Sequence, residues 1–173
     1  MARLGCSCGA TMSTVDCPSP HVYHVFTQAE VDATLSKNSE CLFWDFYTNW
    51  DSQKDKKHIF TSEEYTYWYC TACGRMYQVQ AQPQGRWVKK FKMSEDISFL
   101  TDEDIVEWER LYVYSDKVVD QITEKDFGIK LSSFIAHKKH IYDCYISKCG
   151  CTIAVCKKNT KEIVRVYILE DSI

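Results

Sequence analysis

The stretch Cys70-Thr71-Ala72-Cys73-Gly74, together with Cys6-Ser7-Cys8-Gly9 near the start of the chain, decides how this sequence is interpreted. Each stretch is a close cysteine pair followed by glycine, and a tight turn of this kind lets two thiolates converge on one ion. Two pairs complete a closed site of four thiolates, which is typical of structural metal because no position is left for water or substrate. The spacing therefore predicts one structural zinc ion held by Cys6, Cys8, Cys70 and Cys73.

The composition of the 173-residue chain indicates a globular protein, because 45% of its residues are hydrophobic and 14% are aromatic. Its net charge of −3 gives no overall attraction to nucleic acid or to an anionic membrane. No apolar run approaches a signal peptide or the ~18 residues of a membrane span, so we expect a cytoplasmic protein without a membrane partner. In a reducing compartment its ten cysteines indicate metal or buried free thiols, and disulfides are the least favoured alternative.

Two parts of the chain share a pattern of apolar and polar residues. Residues 73–97 align without gaps to residues 149–173, and each predicts a β-hairpin from two alternating stretches around a polar turn. Residues 22–35 align in the same way to residues 110–123, where each copy predicts a strand and then a short helix. In the first copy Thr27 and Glu30 fit a capping box at the start of that helix. The pattern therefore predicts an internal duplication.

The fold class predicted from this repeat is α+β, with two tandem, related, β-rich zinc-ribbon-like modules that each carry a short helix. The modules span residues 1–97 and 98–173. In the alignment Cys70 falls on Ile146, so the second module is predicted to lack metal. The alternative is a second metal site in the second module, because four more cysteines lie there and two of them form one knuckle-like turn. These are Cys144, Cys149, Cys151 and Cys156.

The first module resembles a known group of proteins. The residues that carry the resemblance are CSCG at 6–9, VYHVFTQAEVD at 22–32, and WYCTACGRMYQV at 68–79 ahead of a hairpin that ends in WVKKFKM. They are similar to the pattern of small, uncharacterised bacterial zinc-ribbon-like proteins, over roughly the first 97 residues. The resemblance implies that Cys6, Cys8, Cys70 and Cys73 are the metal ligands, and it implies no activity.

Aromatic side chains are concentrated in two segments. Residues 41–50 are aromatic on both alternating faces, which predicts a strand that is buried on both sides or that leaves one face for a partner. The segment 65–69 beside the second cysteine pair has the same two interpretations. The candidate partner-binding residues are Trp44, Tyr47, Trp50, Tyr67 and Trp68. Packing in the core is the alternative for each of them.

No sequence motif of an enzyme is found, since GxGxxG, GxxxxGK and HExxH are all absent. We therefore expect a non-enzymatic protein that binds another protein on its zinc scaffold, as an inhibitor or an immunity-type protein does. The alternative is a nucleic-acid-binding zinc ribbon that uses lysine clusters at residues 54–58, 89–92 and 137–140. Solvated loops and outer strand faces would also explain these clusters, because acidic residues lie near them in sequence.

Overall fold

The computed structural model describes residues 2–49, 65–80, 86–119, 128–137, 142–158 and 160–172. The strands in these residues are β1 (Arg3–Gly5), β2 (Thr11–Ser13), β3 (Val22–Thr27), β4 (Tyr65–Tyr69), β5 (Met76–Gln80), β6 (Arg86–Met93), β7 (Glu109–Ser115), β8 (Tyr142–Ile146), β9 (Thr152–Lys157) and β10 (Ile163–Ser172). The helices are α1 (Gln28–Lys37), α2 (Phe43–Asn49) and α3 (Leu131–His137). The described chain is therefore mostly β-structure.

Strands β3 to β10 form one closed barrel. The order around the barrel is β10-β6-β5-β4-β3-β7-β8-β9, and all neighbouring strands are antiparallel. Strands β3 to β6 come from the first half of the chain and β7 to β10 from the second, so each half supplies one continuous part of the wall. Strands β1 and β2 form a separate two-stranded hairpin.

The predicted fold class of two tandem zinc-ribbon-like modules is wrong, because the two halves share one sheet. Strand β3 pairs with β7, with Val25 opposite Val113, and β6 pairs with β10, with Phe91 opposite Leu169. Alone, each half would expose two unpaired strand edges, and pairing between the halves removes all four. The β5–β6 and β9–β10 hairpins are confirmed. The module boundary and the duplication stay predictions.

The barrel interior is filled by apolar side chains from all eight strands. Its buried members are Val25, Tyr67, Phe91, Leu111, Cys144, Ile146, Ile153 and Tyr167, and its partly buried members are Tyr23, Tyr69, Met76, Val113, Val155 and Leu169. These residues alternate along each strand with residues that face outward, as the two-residue period of a strand requires. An eight-stranded barrel is just wide enough for such side chains to fill it. The described interior is a packed core.

Helices α1, α2 and α3 pack together against the outer face of β3 and β7, and residues 116–119 directly after β7 are also helical. The predicted capping box at the start of α1 is confirmed: the Glu30 N–H donates to Thr27 Oγ1 at 3.3 Å, and the Thr27 N–H donates to the Glu30 carboxylate at 3.0 Å. Phe26 of β3 contacts Phe43 of α2, which stacks on Phe134 of α3 with 3.8 Å between ring centroids. No helix in the described residues is both long and apolar enough to cross a membrane.

The predicted strand over residues 41–50 is wrong, because Phe43–Asn49 forms helix α2. Helical spacing places Phe43, Phe46 and Tyr47 on one face, since residues three and four positions apart are neighbours on a helix. Phe43 and Phe46 are 0% and 5% exposed, and Tyr47 packs against the same core. One face of a helix therefore explains the aromatic residues for which the sequence pattern predicted a strand with aromatic side chains on both faces.

Candidate metal centre

Cys6 and Cys8 lie in the turn that joins β1 to β2. The Gly9 N–H donates to the Cys6 carbonyl at 2.9 Å, and the Cys6 N–H donates to the Ala10 carbonyl at 2.8 Å. Gly9 has a φ of +91°, in the left-handed region that glycine adopts without steric cost. Glycine at this position therefore permits the tight turn that the cysteine pair predicts.

Cys70 and Cys73 lie in the turn between β4 and β5. The Gly74 N–H donates to the Cys70 carbonyl at 2.8 Å, and the Cys70 N–H donates to the Arg75 carbonyl at 2.8 Å. Gly74 has a φ of +73°, and a Cβ at this position would have no neighbour closer than 3.6 Å. The position therefore favours glycine for its backbone conformation and not for lack of space.

The two turns bring four sulfur atoms together. Cys6 Sγ lies 3.4 Å from Cys73 Sγ, and Cys8 Sγ lies 3.7 Å from Cys70 Sγ. All four sulfurs lie within 4.8 Å of one another. Sulfurs at the corners of a tetrahedron with ~2.3 Å metal–sulfur bonds are separated by ~3.8 Å, so the spacing fits a tetrahedral ion. The four cysteines predicted as ligands form a cluster that can hold a metal ion.

Two side chains after the second cysteine pair support the sulfurs, Arg75 just before β5 and Tyr77 on β5. The Tyr77 hydroxyl accepts a hydrogen bond from the Ser7 N–H at 3.1 Å, which leaves its own proton for Cys6 Sγ, also at 3.1 Å. Arg75 donates from Nη1 to Cys73 Sγ at 3.6 Å and from Nε to the Glu170 carboxylate on β10 at 3.1 Å. Such groups orient metal ligands and offset the charge of thiolates. Through Glu170 the cluster is also connected to the last strand of the barrel.

The thiols of the cluster differ in proton affinity. Burial raises the pKa of Cys6, but hydrogen bonds from the Cys8 backbone and the Tyr77 hydroxyl outweigh it and lower this pKa to about 6. Burial raises the pKa of Cys70 to about 12. Cys6 therefore loses its proton more readily than Cys70, and a bound metal ion would favour the thiolate form of both. Metal binding accordingly releases protons and strengthens as the pH rises.

Replacing Tyr77 by phenylalanine is expected to weaken metal binding about tenfold, because supporting partners of metal ligands typically contribute 10- to 100-fold. The variant loses the hydroxyl at Cys6 but keeps the ring that packs against Trp87. Competition with a chromophoric zinc chelator measures the effect. Tyr142→Phe is the control, because Tyr142 is 39% exposed on β8. Equal affinities of the two variants would show that the Tyr77 hydroxyl does not support the site.

Comparison with protein families identifies the part of the chain that carries this cluster. Residues 2–102 match the model of a family described as a domain of unknown function, DUF8617, over more than half of the chain. The chain belongs to the DUF8617 family. The match contains all four clustered cysteines and the first six strands, so the prediction that this region belongs to a family of uncharacterised function is confirmed, whereas no zinc-ribbon family matches. No curated protein and no solved structure matches the chain.

Beyond the DUF8617 match, the turn between β8 and β9 is similar to the second cysteine turn but begins with Ser147 in place of a cysteine. The Ser147 N–H donates to the Thr152 carbonyl at 2.9 Å, and the Gly150 N–H donates to the Ser147 carbonyl at 2.8 Å. Cys144 lies in the barrel interior, whereas Cys156 packs in another core on the outer face of β9. The structure therefore does not bring the four cysteines of the second half together.

The predicted partner-binding aromatic residues lie in different parts of the fold. Tyr67 is 3% exposed inside the barrel, and Trp68 is 3% exposed in the core shared with the β1–β2 hairpin. Trp44 and Tyr47 lie side by side on α2 and are partly buried, so partner binding through them stays a prediction. Trp50 lies outside the described residues.

One of the three predicted lysine clusters, at residues 89–92, lies on β6 among the described residues. Lys90 Nζ lies 3.8 Å from the carboxylates of both Glu170 and Asp171, and 5.5 Å from the centre of the Trp87 ring. These carboxylates offset part of the positive charge that would attract a nucleic acid. Residues 54–58 and 138–140 of the other two clusters lie outside the described residues.

Proposed function

We propose that the cluster of Cys6, Cys8, Cys70 and Cys73 holds one structural Zn²⁺ ion. All four donors are sulfur atoms, and a tetrahedral set of four thiolates is typical of zinc or of iron–sulfur centres. Among these zinc is favoured, because the two turns resemble zinc knuckles and support each pair in the same way. Four protein ligands leave no open position for a substrate, so the ion stabilises the fold and takes no part in catalysis.

The zinc ion cross-links the β1–β2 hairpin to the barrel and so stabilises its position. Leu4 and Met12 of the hairpin pack against Trp68 and Val79 on the outer face of β4 and β5. A two-stranded hairpin is marginally stable by itself. Two ligands come from the hairpin and two from the barrel, so the metal ion cross-links them. The stability of the hairpin is therefore coupled to metal binding.

On this scaffold the protein acts as a non-enzymatic binder of another protein. The observation that carries this proposal is an acidic segment, residues 95–107, in which Phe99 and Val106 are 51% and 65% exposed. The acidic residues of the segment are Glu95, Asp96, Asp102, Glu103, Asp104 and Glu107, all exposed. Exposed apolar side chains among charged residues are typical of protein-binding surfaces.

Internal contacts hold the acidic segment in place before any partner binds. Ile105 is 1% exposed and packs against Ala154 and Cys156 on the barrel wall. The Thr101 N–H donates to the Asp104 carboxylate at 2.7 Å, and this bond lowers the pKa of Asp104. A surface that is already ordered loses little conformational entropy on binding. The arrangement therefore favours recognition by a preformed surface.

The partner that fits this surface is a protein with basic residues around an apolar pocket. Opposite charges speed up encounter and reject wrong partners, while Phe99 and Val106 supply apolar contact. Nucleic-acid enzymes and many toxins that act on nucleic acids carry basic surfaces of this kind. Inhibition of such an enzyme, as by an immunity-type protein, is one consequence that binding here can have.

The test is co-purification of the full chain with a stoichiometric partner, followed by binding measurements on variants of the segment. Phe99→Ser is expected to weaken binding about tenfold or more, as truncation of a buried interface anchor does. Glu103→Lys is expected to reduce the association rate, with a larger effect at low salt. Asp16→Lys is the matched control, because Asp16 is an exposed carboxylate in the segment that follows β2.

The outcomes separate the proposed function from its alternative. Equal binding by Glu103→Lys and Asp16→Lys, together with full binding by Phe99→Ser, would exclude the acidic segment as the binding surface. Tight binding of oligonucleotides that falls with rising salt would instead support the nucleic-acid alternative, because phosphate contacts release counterions. In that case Lys92→Glu on β6 should weaken binding, whereas Glu103→Lys should strengthen it.

A further inference from the structure

The turn between β8 and β9 places two thiols and a hydroxyl side by side. Ser147 Oγ lies 3.3 Å from Cys149 Sγ, and Cys151 Sγ donates to the Cys149 carbonyl at 3.5 Å. Gly150 between the two cysteines has a φ of +70°, which turns the chain back on itself. Cys149 is exposed and Cys151 is half-buried. The turn therefore presents two neighbouring thiols to solvent.

Hydrogen bonds at this turn stabilise a thiolate on Cys149. The Ser147 hydroxyl, the Cys151 N–H and the Cys151 thiol all lower the pKa of Cys149, and the hydroxyl has the largest effect. The hydrogen bond to Cys149 in turn raises the pKa of Cys151. A more acidic thiol beside a less acidic one is the arrangement of an attacking and a resolving cysteine, because the thiolate is the nucleophile.

Cys149 opens onto a groove between the turn and the acidic segment. The walls of the groove include Val106, Trp108 and Lys148, and the Lys148 ammonium lies 2.6 Å from the Glu107 carboxylate. The groove is open to solvent. A small molecule can therefore approach the Cys149 sulfur without any movement of the barrel.

We propose that Cys149 and Cys151 form a thiol–disulfide exchange site whose substrates are low-molecular-weight disulfides of the glutathione type. The site lies outside the DUF8617 match and does not depend on metal binding by the Cys6, Cys8, Cys70 and Cys73 cluster. It uses the one turn of the second half in which two cysteines are close in sequence and accessible.

The exchange proceeds in two balanced steps. The Cys149 thiolate attacks one sulfur of the disulfide RSSR, forms a mixed disulfide and releases RS⁻, which takes up a proton. Cys151 then loses its proton and attacks the Cys149 sulfur, which forms the Cys149–Cys151 bond and releases the second RS⁻. The two protein thiols are oxidised and the disulfide is reduced to two RSH. The protein disulfide closes a small, exposed loop and is therefore readily reduced again.

The other cysteines lack this combination of features. Cys41, Cys144 and Cys156 are buried, and the four cysteines of the metal cluster are held in contact with one another. Cys17 is exposed, but no hydrogen bond to its thiol is found within the described part of the chain. Cys17 is therefore the internal control for an exposed cysteine outside the proposed site.

The experiment treats the purified full chain with oxidised glutathione and follows each cysteine by alkylation and peptide mass spectrometry. Cys149 is expected to react about tenfold faster than Cys17, because reactivity follows thiolate content and access. The peptide that contains the turn should lose both thiol hydrogens. Cys151→Ser should instead accumulate a glutathione adduct on Cys149, since the resolving thiol is missing. Ser147→Ala should slow the first step, and Cys17→Ser should leave both steps unchanged.

Several results would overturn the proposal. These are equal modification of Cys17 and Cys149, no trapped adduct in Cys151→Ser, or oxidation that proceeds in step with metal release. Metal content measured before and after the reaction provides the last readout, because oxidation of the Cys6, Cys8, Cys70 and Cys73 cluster would expel the ion. Unchanged metal content with a Cys149–Cys151 disulfide supports the site whatever the identity of the ion.

Discussion

Cys70→Ser is expected to remove the metal ion and to detach the β1–β2 hairpin from the barrel. Cys70 is 1% exposed and is one of two clustered cysteines that the barrel contributes, so its loss would leave an incomplete set of ligands. Stability should fall on the order of 4 kcal/mol, the effect of a ligand present at about 1,000 times its Kd. Elemental mass spectrometry measures the metal, and hydrogen exchange over residues 2–14 measures the hairpin.

Cysteine variants elsewhere in the chain separate metal loss from general destabilisation. Cys17→Ser should keep the metal and the stability, because Cys17 is exposed and outside the cluster. Cys156→Ser should keep the metal but lose about 1–3 kcal/mol, since it places a hydroxyl at a position that is 0% exposed. Full metal content and an unchanged hairpin in Cys70→Ser would refute the assignment of the ligands.

Phe26→Ala is expected to destabilise the protein by about 3–5 kcal/mol, the usual cost of removing a large buried aromatic side chain. Phe26 is 0% exposed on the outer face of β3. Its ring centroid lies 5.1 Å from that of Phe46 on α2 and 6.2 Å from that of Tyr114 on β7. The variant therefore opens a cavity where the helices meet the first junction between the two halves. Urea unfolding of the metal-loaded protein measures the change.

The control for this variant is Phe99→Ala, which removes the same atoms from a side chain that is 51% exposed. Its effect on stability should stay within about 0.5 kcal/mol, as for most surface substitutions. A loss below about 1 kcal/mol in Phe26→Ala would mean that α2 moves into the cavity. Hydrogen exchange in α2 that remains unchanged in Phe26→Ala would contradict its role in joining the helices to the barrel.

The sequence allowed the cluster of four cysteines to be predicted because the determinants of its two turns are local. A cysteine pair followed by glycine encodes its own turn, and Gly9 and Gly74 have the positive φ angles that such turns require. The Thr27–Glu30 capping box is local in the same sense. What brings the two turns together is the packing of the separate β1–β2 hairpin against β4 and β5, where Met12 lies in one buried cluster with Trp68 and Val79.

The closed barrel could not be predicted in the same way, because its decisive contacts join residues far apart in sequence. The hairpins β5–β6 and β9–β10 follow from alternation, but alternation says nothing about which hairpin lies beside which. Helix α2 was missed because a short aromatic run fits both a buried strand and a helical face. Tyr77 and Arg75 follow the second cysteine pair directly, so a search for donors beside the ligands would have found them.

Closure of the barrel through β6 and β10 has a consequence for the folding of the newly made chain. Strand β6 (Arg86–Met93) is synthesised long before β10 (Ile163–Ser172), and pairing over such a separation is slow. Until β10 has been synthesised, a strand of another chain can pair with the free edge of β6. Lysine on an exposed strand edge disfavours such aggregation. Lys89, Lys90 and Lys92 lie on this strand. The lysines that suggested nucleic-acid binding are therefore expected to limit aggregation of the incomplete chain until β10 pairs with β6.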